Sequence, residues 1–272
     1  FETDTLLAAY LLDPLSSTYT VTRLAQEYGA VNRVISPDAP IEQQITFFTP
    51  LADILSQKIA ETGQYALLHD VELPLAEVLA SMENCGVAVD ALQIDAYGRQ
   101  LQTRIEQLET AIYEEVGYTF NLNSPKQLGK ALFEDLGLPA KKKTKSGYST
   151  NAEVLEELRS SHPVVDKLLE YRTLAKLKST YCDGLLKVIG KDGRIHSSFN
   201  QTETRTGRIS STEPNLQNIP VRQAVGRELR RFFRAAEGKV LCDADYSQIE
   251  LRVLADMAGD KAMINAFNTD VD

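Results

Sequence analysis

Apolar residues recur every three or four positions over two long stretches of this chain, and both stretches predict amphipathic helices. Behind Asp90, the residues Leu101, Ile105, Leu108, Ile112 and Val116 fall on one face of a single long helix. Behind Pro163, Leu168, Leu169 and Leu174 mark another that runs towards Leu186. Shorter helical pieces, Thr3 to Leu12 and Ile41 to Thr62, are separated by Pro14, Pro37 and Pro40. From Pro74 to Cys85 a further pattern stops at Gly86, a residue suited to a helix C-terminus. Val87-Ala88-Val89 reads as a short extended link. Ser124-Pro125 opens a helix with proline at its first position. Thr150 with Glu153 forms a capping box for the next.

The rhythm changes at the turn Lys191-Asp192-Gly193, after which Arg194 to Asn200 alternates as a strand. Further on, Val240, Leu241 and Cys242 read as a short buried strand. Ser247 is placed to cap the helix behind it, whose inner face would be Ile249, Val253, Leu254 and Met257. There is no internal repeat and no low-complexity tract. The expectation is a helical arm attached to a mixed α/β core.

The 272 residues, 43% hydrophobic and 25% charged, fit an ordinary globular protein of two domains or pieces of three. No apolar run approaches the roughly 18 residues of a membrane span. The acidic start Phe1-Glu2-Thr3-Asp4 is no signal peptide. Cys85, Cys182 and Cys242 are odd in number and far apart, which points to a reducing cytosol. His69, His162 and His196 lack ligand spacing and are given no catalytic role. A net charge of −9 argues against a nucleic-acid partner, but its distribution reverses that argument. Residues 1–90 carry −10, and the remaining 182 carry +1. Residues 204–234 hold seven arginines against Glu213 and Glu228, enough for a phosphate-binding surface.

Two segments carry chemistry. In Val240 to Arg252 a strand would deliver Asp245 and turn straight into a helix. A carboxylate in such a place is costly unless a cation satisfies it, and a divalent metal is the usual answer. Asp243 would share a face with Asp245 and is taken as structural, and Arg252 with Asp256 as an ordinary helix pair. In Thr204 to Pro220 a glycine turn is combined with arginine, amides and hydroxyls. On composition alone that stretch is a polar loop.

Both segments resemble family A DNA polymerases. Val240 to Arg252 is similar, nearly letter for letter, to the first catalytic motif of that family. Thr204 to Pro220 matches its segment contacting the primer end, and Asn121 to Leu128 and Leu174 to Tyr181 match its thumb. The resemblance is strong from about Val71 onward and weak before it. It implies a right-hand polymerase core of mixed α/β class, with a helical thumb and the start of a β-sheet palm. Residues 1–70 would be the C-terminal part of an inactive 3′-5′ exonuclease-like domain, residues 71–89 a palm-entry helix and link, 90–186 the thumb and 187–272 the first part of the palm. Phe47 and Leu51 stand where the family's exonuclease has Tyr and Asp, and neither binds metal. Asp70-Val71-Glu72 has a nuclease-like spacing but reads as a helix start.

The implied reaction is template-directed addition of dNTPs to a primer 3′-end by two-metal phosphoryl transfer, with Mg²⁺ as the metal and two ions in a complete site. Asp245 would be the catalytic carboxylate and a metal ligand, with the carbonyl of Tyr246 as another. Tyr246, Ser247, Gln248, Ile249 and Glu250 would meet the dNTP, with Glu250 under the sugar excluding a 2′-hydroxyl. Arg208 would be the principal donor to the minor groove, with Asn215, Gln217 and Asn218 around it and Arg222 beyond. Acceptors there recur in every base pair, so such donors check pairing without reading sequence. Asn123, Ser124, Lys126, Lys142, Lys143, Lys178 and Thr180 would grip phosphates from the thumb.

The expected partners are primer–template DNA and dNTPs, with no membrane, a monomeric state and a place in the bacterial cytoplasm near the nucleoid. The chain begins at Phe1 and stops at Asp272, before the family's finger helix and second metal-binding Asp. It therefore reads as a segment that is inactive by itself. A non-catalytic DNA-binding relative and a single-subunit RNA polymerase are the rivals. Asp245 and Glu250 speak against the first, and Glu250 against the second.

Overall fold

The computed structural model describes residues 2–140, 143–144, 147–220 and 224–269, with backbone only at 143, 144, 224 and 225. Two compact units are present, residues 1–234 and 235–272.

The first unit opens with a helical layer. Helix α1 (Thr5–Leu12) starts at Asp4, whose carboxylate accepts from the Leu6 and Leu7 amides at 2.8 and 3.0 Å. It packs with α2 (Val21–Glu27) against α3 (Ile41–Glu61). Leu7, Ala8, Leu24, Leu51, Leu55 and Ile59 fill the space between them. Phe47 and Leu51 are buried core residues of α3. A π-helical turn, Leu67–Glu72, takes up Asp70-Val71-Glu72 and continues into α4 (Leu73–Cys85). Gly86 ends α4 at a φ of +58°, and its N–H donates to the Met82 carbonyl at 2.9 Å. A Cβ at Gly86 would stand 2.8 Å from both the His196 ring and the Ile195 carbonyl, so only glycine fits.

The link Val87–Val89 is strand β1, and it lies at the centre of a sheet. Asp90 then caps α5 (Ala91–Val116), accepting from the Gln93 amide at 3.0 Å. As the pattern predicts, Leu101, Ile105, Leu108 and Ile112 are buried. Ser124 and Pro125 begin α6 (Pro125–Lys130), followed by strands β2 (Lys143–Thr144) and β3 (Gly147–Tyr148). The capping box at Thr150 is displaced by one residue. Asn151 caps α7 (Ala152–Glu157), accepting from Val154 at 3.0 Å. Thr150 is itself buried, and Arg172 donates to both its carbonyl and, at 3.4 Å, its hydroxyl, which is thereby engaged away from the helix. Helix α8 (Pro163–Lys176) runs through a π turn, Leu177–Cys182, into α9 (Asp183–Val188). It lies along α5, with Leu168, Tyr171 and Leu174 in the shared core and a two-bond Arg104–Glu170 pair at 2.7 and 2.9 Å outside.

The run Arg194–Asn200 is not one strand. It divides into β4 (Arg194–Ile195) and β5 (Ser198–Asn200), which belong to different sheets. The bend between them is fixed by the His196 ring, which bonds the Glu83 carbonyl at 2.7 Å, and by Ser197, which turns inward. β5 pairs with β6 (Ser210–Thr212) in the register Phe199↔Ser211. Helix α10 (Ala224–Arg230) leads to β7 (Phe233–Arg234), giving the antiparallel order β4-β1-β7.

The second unit holds α11 (Ile249–Ala258) and α12 (Lys261–Asn268). The expected strand at Val240 to Cys242 is absent: Val240 and Leu241 are 87% and 65% exposed and Cys242 is exposed. A strand needs hydrogen-bonding neighbours and an apolar cover, and the described residues of this unit supply neither. Ser247 is not the cap. Gln248 precedes α11 in a left-handed conformation (φ 49°) and makes no side-chain capping bond. Ile249, Val253, Leu254 and Met257 are exposed, and Ala255 is the buried residue of α11 among those described. Arg252 does not pair with Asp256. Its Nε donates to the Ser247 carbonyl at 2.9 Å and its guanidinium lies 4.7 Å from the Phe267 ring centre.

Ile112→Ala at the fully buried α5–α8 contact should cost about 2–5 kcal/mol in urea denaturation, while Leu92→Ala, at an exposed site, should stay within about 0.5 kcal/mol. His196 is the pH-sensitive tie. The Glu83 carbonyl first, and then the Asp192 carboxylate 3.0 Å away, raise its pKa. Its stabilising contribution is therefore complete below the unfolded imidazole value and fades as pH rises through the raised one. His196→Gln should lower Tm more at about pH 5 than at about pH 9; equal losses at both would contradict the assignment.

Candidate nucleic-acid interface

The β5–β6 hairpin carries the first group of candidate donors. Its connection, residues 201–209, leaves Arg208 exposed beside Gly207, which takes a φ of +78° that suits glycine. The chain re-enters through β6 and then turns under Ser197. The Ser197 hydroxyl contacts the Ser211 hydroxyl at 2.7 Å and donates to the Pro214 carbonyl at 2.7 Å. Beyond it, the Asn215 side chain accepts from the Gln217 amide at 3.0 Å, and Gln217 Nε2 donates to the Ile209 carbonyl at 3.0 Å. Tyr181 donates its hydroxyl to the Asn218 carbonyl. Asn215, Gln217 and Asn218 are exposed, and Gln217 reaches the residue next to Arg208. Asn215 and Gln217 are thus bonded to each other, and Gln217 to the backbone of the residue after Arg208.

The arm residues sit in two places. Asn123 Nδ2 donates to the Tyr171 hydroxyl at 3.2 Å, joining the start of α6 to α8. Ser124 caps α6 from the Gln127 amide at 3.4 Å, and Lys126 is exposed. Lys178 and Thr180 lie on the π turn after α8. Thr180 is exposed, but Lys178 is engaged by Asp183 at 2.7 Å with its side chain 23% exposed. Lys143 is described by its backbone alone, in β2 opposite Tyr148. Lys142 and Arg222 lie outside the described residues.

Asp245 is in an exposed, irregular segment of the second unit, and Tyr246 is 79% exposed. Ser247, Gln248, Ile249 and Glu250 follow as the entry to α11. Among the described residues, no three His, Cys, Asp or Glu side chains converge where a metal ion could sit. One carboxylate and one carbonyl do not fit two divalent ions, which take about six oxygen ligands each. Burial, with Asp183 adding to it, pushes the Cys182 thiol up to about 11, so it is no nucleophile at neutral pH.

Sequence reasoning missed the residues behind the hairpin connection. Tyr10 donates to the Thr204 carbonyl at 2.7 Å, and Gln201 donates to the Glu72 carboxylate at 2.7 Å. No local pattern could have found them, because each partner lies more than a hundred residues away along the chain.

The model of DNA polymerase family A matches residues 92–272, so the chain belongs to that family. DNA polymerase I of Bacillus subtilis (strain 168) is 44% identical over all of this chain and 33% of that protein. DNA polymerase I of Geobacillus stearothermophilus is 44% identical over 99% of this chain and 33% of that protein. The chain spans about a third of the length of these relatives. The solved POL domain of Pol1 from M. smegmatis, in complex with DNA primer-template and dNTP, matches with a TM-score of 0.88. It is 42% identical and covers 99% of this chain and 48% of that one, which bears out the mixed α/β polymerase fold.

Ser197 ties the hairpin to the turn that presents Asn215 and Gln217. Ser197→Ala removes these bonds while Ser211 Oγ still reaches the Pro214 carbonyl at 3.2 Å, so it should cost about 0.5–1.5 kcal/mol in urea denaturation.

Proposed function

We propose that this chain is the duplex-gripping part of a DNA-directed DNA polymerase and carries the first of its catalytic carboxylates. The observation that carries the reading is the exposure of Arg208, Asn215 and Gln217, with Gln217 bonded to the carbonyl of the residue after Arg208. Such donors suit minor-groove acceptors, which do not vary enough to encode sequence. Lys126 and Thr180 on the arm supply polar contacts to phosphates, which are indifferent to sequence and sensitive to salt. In this reading Asp245 and the Tyr246 carbonyl are metal ligands, Ser247 to Glu250 line the dNTP site, and Glu250 excludes the 2′-hydroxyl. Two Mg²⁺ ions need ligands beyond those the described residues bring together, so no metal-borne step is assigned to this chain. The cytoplasm, near the nucleoid, is the matching location.

A binding-only relative is the second reading, favoured by the lack of converging carboxylates among the described residues. Binding of a labelled primer–template duplex, followed by anisotropy, tests the first part. Arg208→Ala should weaken it about tenfold, and Lys126→Ala should lower the salt dependence by about one ion. Unchanged affinity in both variants would sink the interface. Primer extension with Mg²⁺, run on the chain and on Asp245→Ala, tests the second part: neither should extend. Extension lost on Asp245→Ala would mean that the chain holds a complete catalytic site.

A further inference from the structure

We infer that the N-terminal helical layer braces the Arg208 loop, with Tyr10 as the positioning residue. The inference rests on the reading of that loop as a primer–template contact. Residues 201–209 make no strand pairing, so their shape depends on side-chain bonds. Tyr10, 3% exposed in α1, donates to the Thr204 carbonyl at 2.7 Å. Thr204 Oγ1 donates in turn to the Arg208 carbonyl at 2.6 Å. At the start of the loop Gln201 Nε2 donates to the Glu72 carbonyl at 3.0 Å and carboxylate at 2.7 Å. At its end Gln217 holds the Ile209 carbonyl. Two successive ties, Tyr10 to Thr204 and Thr204 to Arg208, therefore run from the helical layer to the arginine, and the Gln201–Glu72 bonds tie the start of the loop in parallel.

The contact is a hydrogen bond more than a packed face. Beside it lies an open polar cleft of about 360 Å³, walled on one side by Pro14 to Tyr19 and on the other by Thr202, Glu203 and Arg205. Tyr10 is itself fixed, edge-on to Tyr19 with ring centres 6.0 Å apart. A buried phenol that loses its acceptor leaves an unsatisfied donor, so the layer favours the loop position that supplies one. A loop ordered in advance loses less freedom when it binds a duplex. The layer thus acts on affinity without touching the nucleic acid.

Tyr10→Phe removes the hydroxyl and keeps the ring, so the fold should stand. Gln201→Leu is a second variant that spares α1 altogether. Amide exchange of residues 201–209 should rise about tenfold in Tyr10→Phe, and duplex affinity should fall about three- to tenfold with Tm little changed. The loss should shrink when Arg208→Ala is already present, because a brace matters only through what it positions. Unchanged exchange in both variants overturns the brace, whatever happens to binding. Raised exchange with unchanged affinity, in a chain whose binding Arg208→Ala does weaken, overturns the positioning role. Raised exchange in a chain whose duplex binding ignores Arg208→Ala supports the brace and removes the nucleic-acid reading instead.

Discussion

The helical arm and the small sheet meet at Asp90, and that junction fixes how the rest of the first unit is arranged. Its carboxylate caps α5 through the Gln93 amide and also meets Arg234 at 2.5 Å. Its own N–H donates to the Phe232 carbonyl at 2.8 Å. One residue thereby starts a 26-residue helix and holds it to the neighbour of strand β7. The cap contributes on the order of 1 kcal/mol. The ion pair adds little, because Arg234 is 52% exposed and solvent screens it. The importance of Asp90 is geometric: the direction of α5, and so of everything packed along it, is set where the strand ends.

Local periodicity made the helices legible. The apolar positions of α5 repeat with the helical period because one face of it is buried along its length, so the sequence records the burial directly. Strand β1 left no such record. Three residues cannot display a period, and its partners, Ile195 and Arg234, are far away along the chain. The run Arg194 to Asn200 alternates correctly, yet it crosses from one sheet to another because Ser197 is needed underneath the turn at Pro214. The capping box failed for a related reason. Thr150 was already committed to Arg172, and the neighbouring Asn151 took the helix.

The candidate donors Arg208, Asn215 and Gln217 are legible as polar letters, but the bonds that shape the backbone around them, from Ser197, Thr204 and Tyr10, are not. Around Asp245 the apolar letters suggest burial. Burial requires a second surface, however, and in this unit Val240, Leu241, Leu254 and Met257 remain exposed. A patch of that character is sticky. A concentration series is therefore needed before any loss of soluble protein is ascribed to a substitution in this unit.

Strand β1 also imposes an order of assembly. It lies between β4 and β7, so its backbone groups on one side have no partner until Ile195 exists, and on the other until Arg234 exists. At roughly 5–20 residues per second of synthesis, that wait is about five to thirty seconds. Helices α1 to α4 and the α5–α8 pair can form during it from contacts already made. The sheet closes after these helices, and the hairpin bearing Arg208 is laid onto a helical layer that already stands.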